Sequence, residues 1–180
     1  ETRGPEAALA LLEQAGPRAD PATRAHVSLE RTRCLIELDE LDGALEQLGL
    51  RDGVPTTAPE QPESWLYLGR IHARRGELER ARAPLERFLT LAPRHREGPS
   101  ALYVLAQAAL RRGDGESARA CSARGRELGE WLAYLRVRRL QVRAAPAEPL
   151  PRLGLALLWM HAGEFDRAEA VLDELLERFP

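Results

Sequence analysis

An all-α solenoid of stacked antiparallel helix pairs is predicted by three observations. The composition favours helix, four turn signatures recur along the chain, and apolar residues keep helical spacing on both sides of each turn. Alanine, leucine, arginine and glutamate dominate the 180 residues, and each loses little side-chain freedom in a helix. Ile36 and Ile71 are the only isoleucines. With 44% apolar and 30% charged residues, the balance is that of a globular chain rather than a disordered one.

The turn signature is a short polar turn, an apolar residue and then an alanine. It reads Asp39-Glu40-Leu41-Asp42-Gly43-Ala44, Gly76-Glu77-Leu78-Glu79-Arg80-Ala81, Gly113-Asp114-Gly115-Glu116-Ser117-Ala118 and Gly163-Glu164-Phe165-Asp166-Arg167-Ala168. The alanines lie 37, 37 and 50 residues apart. A glycine ends one helix in a left-handed conformation at little cost. The acid after it sits at the start of the next helix, where the macrodipole favours negative charge. The alanine lets the two helices approach closely.

The helices are expected, in order, near 5–15, 22–38, 41–49, 63–75, 77–91, 98–112, 114–128, 130–143, 150–162 and 164–179, with no sheet. Residues 1–20 read as a second helix lacking its first. Residues 22–50 form a repeat with Leu35, Leu41, Ala44 and Leu48, and Thr32 at the small position. Residues 62–95 give the fullest repeat. The repeat at 98–129 keeps Leu102, Leu105, Ala106, Ala109 and Ala118, but has Ser122 and Gly125 where bulk is expected. The 50-residue spacing leaves room for an added helix and loop at 130–148, and 149–180 closes the array. Pro84 falls inside a helical stretch, so either a kink or a later helix start is expected.

The repeat at 62–95 carries a family resemblance. Trp65, Leu68 and Gly69 match W-x2-L-G, His72 stands at the tyrosine position, Ala81 matches the alanine, Leu85 stands for the phenylalanine, and Pro93 closes the copy. This resembles the tetratricopeptide repeat, and weaker copies extend the likeness over most of the chain. The resemblance implies a right-handed superhelix whose inner face is built mostly by first helices. It also implies a non-catalytic scaffold that binds a partner segment in that concave groove. A regulatory or accessory domain of a larger enzyme or bacterial envelope protein is the alternative.

On the first helices, the residues turned from the packing side fall at 3–4 residue spacing. Arg33, Tyr67, Arg70, Arg74, Tyr103, Gln107 and Arg111 are therefore the candidate groove. The family's carboxylate clamp uses Lys and Asn, whereas Arg33, Arg70 and Gln107 stand here, so that clamp is not expected. All 26 basic residues are arginine. An acidic protein or peptide segment is the expected partner, with Tyr67 and Tyr103 covering its apolar anchor.

Charge is uneven. Residues 94–147 hold eleven arginines against five acids, while the whole chain has a formal net charge of −2. The overall charge gives no argument for nucleic acid. Arg136, Arg138, Arg139 and Arg143 form a possible basic patch opposite Trp131, Leu132, Leu135 and Val142.

No catalytic motif, phosphate loop or metal spacing is present. His26, His72, His95 and His161 are scattered among the repeats, and Cys34 and Cys121 are 87 residues apart, which fits free thiols and no zinc motif. No catalytic residue, metal or cofactor is assigned. No apolar run reaches membrane-spanning length, which points to a soluble protein of the cytoplasm or periplasm. The start at Glu1 is read as an excised piece or a removed leader.

Overall fold

A computed structural model describes residues 4–15 and 20–179. Parts of the half repeat expected at 1–20, and the closing Pro180, lie outside the described residues. Nine helices form among those described: α1 (Pro5–Ala15), α2 (Pro21–Glu37), α3 (Leu41–Leu48), α4 (Pro62–Arg74), α5 (Leu78–Leu91), α6 (Gly98–Arg111), α7 (Gly115–Ala144), α8 (Pro149–His161) and α9 (Phe165–Arg178). The chain divides into two compact units, Glu1–Gly125 and Arg126–Pro180.

In the first unit α2 pairs with α3 and α4 with α5, α5 packs on α6, and α1 packs on α2. The four signature turns share one hydrogen-bond pattern. Glu77 N–H donates to the His72 carbonyl and Gly76 N–H to the Ala73 carbonyl, with Gly76 at φ 74. Asp114 and Gly113 repeat this onto Ala109 and Leu110, and Glu164 and Gly163 onto Trp159 and Met160. These paired bonds satisfy helix-end carbonyls that would otherwise be orphaned. The first turn does the same with Asp39 at φ 64, a conformation aspartate tolerates better than most residues. The alanines after the turns, Ala44, Ala81, Ala118 and Ala168, are all buried.

Gly69 shows how tightly one pair meets. A Cβ there would stand 2.4 Å from Leu85 Cδ2 and 2.5 Å from its Cγ, so the glycine lets α4 lie against α5. Leu85 and Phe88 are fully buried beneath this contact. Helix α5 runs through Pro84 from Leu78 to Leu91. It starts one residue later than expected, and Pro84 is itself buried.

Two sequence expectations need correction. The helices expected at 114–128 and 130–143 are one 30-residue helix, α7. Gly129 meets nothing within 4 Å of its notional Cβ, and one interior glycine costs a helix only about 1 kcal/mol. Leu128, Trp131 and Leu135 continue one apolar stripe across it at spacings of three and four, so nothing forces a break. The expectation of no sheet also fails in a small way. Leu50–Arg51 (β1) pairs antiparallel with Val54–Pro55 (β2). Asp52 and Gly53, both at positive φ, make the two-residue turn that favours a hairpin.

In the second unit, Leu135, Leu155, Trp159 and Ala168 form a core, with Trp131, Val142, Leu158 and Val171 packed against it. The Trp131 and Trp159 rings meet edge to face at 5.5 Å, a favoured aromatic geometry. Among the described residues no helix is long and apolar enough to cross a membrane.

Candidate functional site

Five of the seven groove residues read from the sequence surround one recess of about 520 Å³. Arg33 comes from α2, Tyr67, Arg70 and Arg74 from α4, and Gln107 from α6. Its apolar part is Ile36, Ala73, Leu78 and Val104. The recess exists because first helices lie side by side: α4 contacts both α2 and α6. Polar residues at 3–4 residue spacing on those helices then share a wall.

The arginines are held by acids and carbonyls of the chain itself. Arg33 pairs with Glu30 at 2.8 Å and Glu37 at 3.4 Å on its own helix. Arg70 Nη2 donates to Glu97 Oε2 at 2.8 Å. Arg74 reaches back to the Ile36 carbonyl and to Asp39 Oδ1 at 3.3 Å. Each guanidinium has five donors, so these contacts leave donors for a ligand. Glu37, Arg96, Glu97 and Ser100 complete the lining. With four arginines against Glu37 and Glu97, the recess carries an excess of positive charge.

The remaining groove residues behave otherwise. Tyr67 is only 5% exposed and offers almost no ring to a ligand, contrary to the expected cover. Burial pushes its hydroxyl up to about 12, with the Glu30 carboxylate adding to the effect. Tyr103 is 64% exposed and accepts a hydrogen bond from Gln107 Nε2 at 2.9 Å, but it does not line the recess. Arg111 donates to the Gly76 carbonyl at 3.2 Å, bracing one turn against the next helix.

A smaller recess of about 140 Å³ adjoins the first and shares Arg33, Tyr67, Arg70, Arg96 and Glu97 with it. His95 lies in its wall. His95 Nδ1 accepts the Glu97 N–H at 3.2 Å, Nε2 is 3.7 Å from Glu63, and the ring meets Phe88 edge to face at 5.2 Å. Burial holds the imidazole below its ordinary range, against the pull of Glu63. Sequence reasoning missed Arg96 and Glu97, which lie in the α5–α6 connection. The Gly98-Pro99 start of α6 was the available signal, because it marks Glu97 as the residue entering that helix.

The arginines of the basic stretch on α7 differ in their contacts. Arg138 lies over the Tyr134 ring at 4.8 Å and donates to Gln141 at 3.2 Å and to the Tyr134 hydroxyl. Arg139 lies 5.7 Å from the Trp159 ring. Arg136 and Arg143 are exposed. Among the described residues no group of three or more His, Cys, Asp or Glu is placed to hold a metal. Cys34 is buried and Cys121 half-buried, both as free thiols.

Comparison with known proteins agrees with the repeat geometry. One tetratricopeptide repeat profile matches residues 35–96. A second matches residues 99–124 and 149–174. Two crystal structures of MamA are similar at 16% identity. One aligns with TM-score 0.49 over 94% of this chain and 85% of the other. The second aligns with TM-score 0.45 over 86% and 72%. None of the curated proteins matches this chain in sequence.

Proposed function

Because this chain belongs to the tetratricopeptide repeat family, whose members are in general non-catalytic scaffolds that bind proteins or peptides, we propose that it binds an acidic partner segment in the recess between its first helices. The observation that carries this reading is the recess itself. Arg33, Arg70, Arg74 and Arg96 line it together with the apolar residues Ile36, Ala73, Leu78 and Val104. Arginine forks hold carboxylates bidentately, and the apolar lining takes one aliphatic side chain. The segment is extended or helical, as suits an open groove. Its affinity is modest, on the order of micromolar, since a short segment buries little area.

The internal pairs give the recess selectivity. A partner carboxylate reaching Arg70 competes with Glu97, and one reaching Arg74 competes with Asp39. A segment with a single carboxylate gains little from that exchange, whereas one with several gains more. The test is affinity capture from the native source with the wild-type chain and with the double variant Arg70→Ala plus Arg74→Ala, followed by mass spectrometry. The reading expects a protein retained by the wild type and lost from a variant that melts at the same temperature. Retention by both would contradict it.

A further inference from the structure

Helix α8 is apolar on both sides. Leu155, Ala156 and Trp159 are buried, and Leu155 and Trp159 belong to the core of the second unit. On the opposite side stand Leu150, Leu153, Leu157 and Met160, which are 73, 39, 46 and 44% exposed. Their spacing of three, four and three residues keeps them on one stripe of the helix. From Pro149 to His161 the sequence has one charged residue, Arg152, besides His161 itself. Arg152 is buried, donating to the Pro146 carbonyl at 2.8 Å and pairing with Glu174 at 3.4 Å. The outer stripe therefore carries no charged side chain until His161 at its end.

A helix face left to water ordinarily carries polar and charged groups, and α4 does. Counted back from the turns at Gly76 and Gly163, Glu63, Arg70 and Arg74 of α4 hold the places of Leu150, Leu157 and His161 of α8. Two of the three charged places have become leucine. At the edge of the stripe the Arg138 guanidinium lies against Gly154, 3.2 Å from a notional Cβ. Gln141 and the Tyr134 hydroxyl hold it there.

We infer that this stripe is the contact between two copies of the chain, with α8 lying antiparallel on α8 of the second copy. Apolar residues three and four apart make the seam along which helices pair. A two-fold axis at position 155 sets Leu153 against the partner's Leu157 and Leu150 against the partner's Met160, so each apolar side chain finds another. The same axis brings Glu148, exposed at the N-terminal end of α8, near the partner's His161, exposed at the C-terminal end. The two ends are complementary, and the middle strips no ion of its water. An acidic segment of the kind proposed for the recess would find no arginine on this stripe. A seam of 13 residues is about 20 Å long and buries less than the roughly 800 Å² per partner of a standard interface. The dimer is accordingly weak, with a dissociation constant on the order of ten micromolar.

The test is sedimentation equilibrium of the full chain over a range of concentrations, with variants on the exposed stripe. The expected result is a monomer–dimer equilibrium in the wild type. Leu153→Glu plus Leu157→Glu should leave only monomer, with helical content and the melting temperature of the dilute chain unchanged. Leu176→Glu, on the exposed face of α9, and Arg70→Ala plus Arg74→Ala, in the recess, should leave the dimer intact. His161→Glu should weaken it about fivefold by facing the partner's Glu148, and Glu148→Arg in the same chain should restore it. Glu148 makes no cap hydrogen bond, so the swap does not cost the helix a cap. Direction is read by disulfide trapping in a Cys121→Ser background. Leu150→Cys mixed with Met160→Cys should give crosslinked mixed dimers, and neither alone should crosslink. A chain that stays monomeric up to about ten times that dissociation constant would overturn the inference. So would a dimer indifferent to Leu153→Glu plus Leu157→Glu, or crosslinking of Leu150→Cys with itself. Vesicles or a captured protein held by the monomer and lost in Leu157→Glu would overturn it as well, since the stripe would then have another occupant.

Discussion

Arg70 Nη2 donates to Glu97 Oε2 at 2.8 Å, from the middle of α4 to the residue that enters α6. The pair joins two first helices across the recess and holds the arginine a ligand would need. Both side chains are about one-third exposed, at 34% and 30%, so solvent screening keeps the pair's contribution small. Glu97→Gln is expected to cost under about 1 kcal/mol, read as a small shift in denaturant midpoint. The same change frees Arg70, so binding of an acidic segment should tighten about threefold to tenfold. Calorimetric titration of wild type and variant with the captured partner's segment checks both parts.

Gly69 marks a close contact between the paired helices α4 and α5. Gly69→Ala improves helix propensity by about 1 kcal/mol but drives a methyl into Leu85, which is buried and cannot swing away. Overpacking of this kind costs about 1–3 kcal/mol. The expected outcome is a net loss of stability in urea unfolding, with helical content unchanged.

Leu89 and Leu176 hold the same place after their turns, eight residues beyond Ala81 and Ala168. Leu89 is 4% exposed, and Leu176 is 65% exposed. Leu89→Ala is therefore expected to cost about 2–4 kcal/mol, and Leu176→Ala less than about 0.5 kcal/mol. Equal losses in thermal unfolding would mean that α9 is covered in solution.

His95 ties stability to pH. Its folded-state pKa lies below the ordinary 6.5 because of burial. As pH falls through that ordinary value, the unfolded chain binds a proton that the folded chain still refuses. Stability from this group is full above about pH 6.5 and declines as pH drops toward the folded pKa. Thermal midpoints measured between pH 7.5 and 5.5 should fall more steeply in the wild type than in His95→Gln.

The helix pairs were legible because their signals are local. The turn glycines, the acids after them and the buried alanines act within a few residues, and the structure uses them as the spacing implies. The hairpin at Asp52-Gly53 was equally local, but strands of two residues leave no alternation to read. The continuity of α7 depends on the stripe Leu128, Trp131, Leu135 outweighing Gly129, and that balance is energetic rather than positional. The recess was half legible. Helical spacing placed Arg33, Arg70, Arg74 and Gln107 on shared faces, but it could not tell that Tyr67 would be buried. Arg96 and Glu97 escaped because a connection's path is set by tertiary contacts. The partners of Arg70 and Arg74, which lie 27 and 35 residues away, leave no sequence pattern.

Site-specific photocrosslinking in the native host tests the binding claim most directly. A benzoylphenylalanine placed at Gln107, inside the recess, is compared with one at Arg136 and one at Arg143, both exposed on α7. The account predicts a crosslinked protein segment at Gln107, rich in Asp and Glu, that disappears when Arg70→Ala and Arg74→Ala are added to a chain of unchanged melting temperature. Capture from Arg136 or Arg143 with none from Gln107 would place the functional face on α7 and contradict the account.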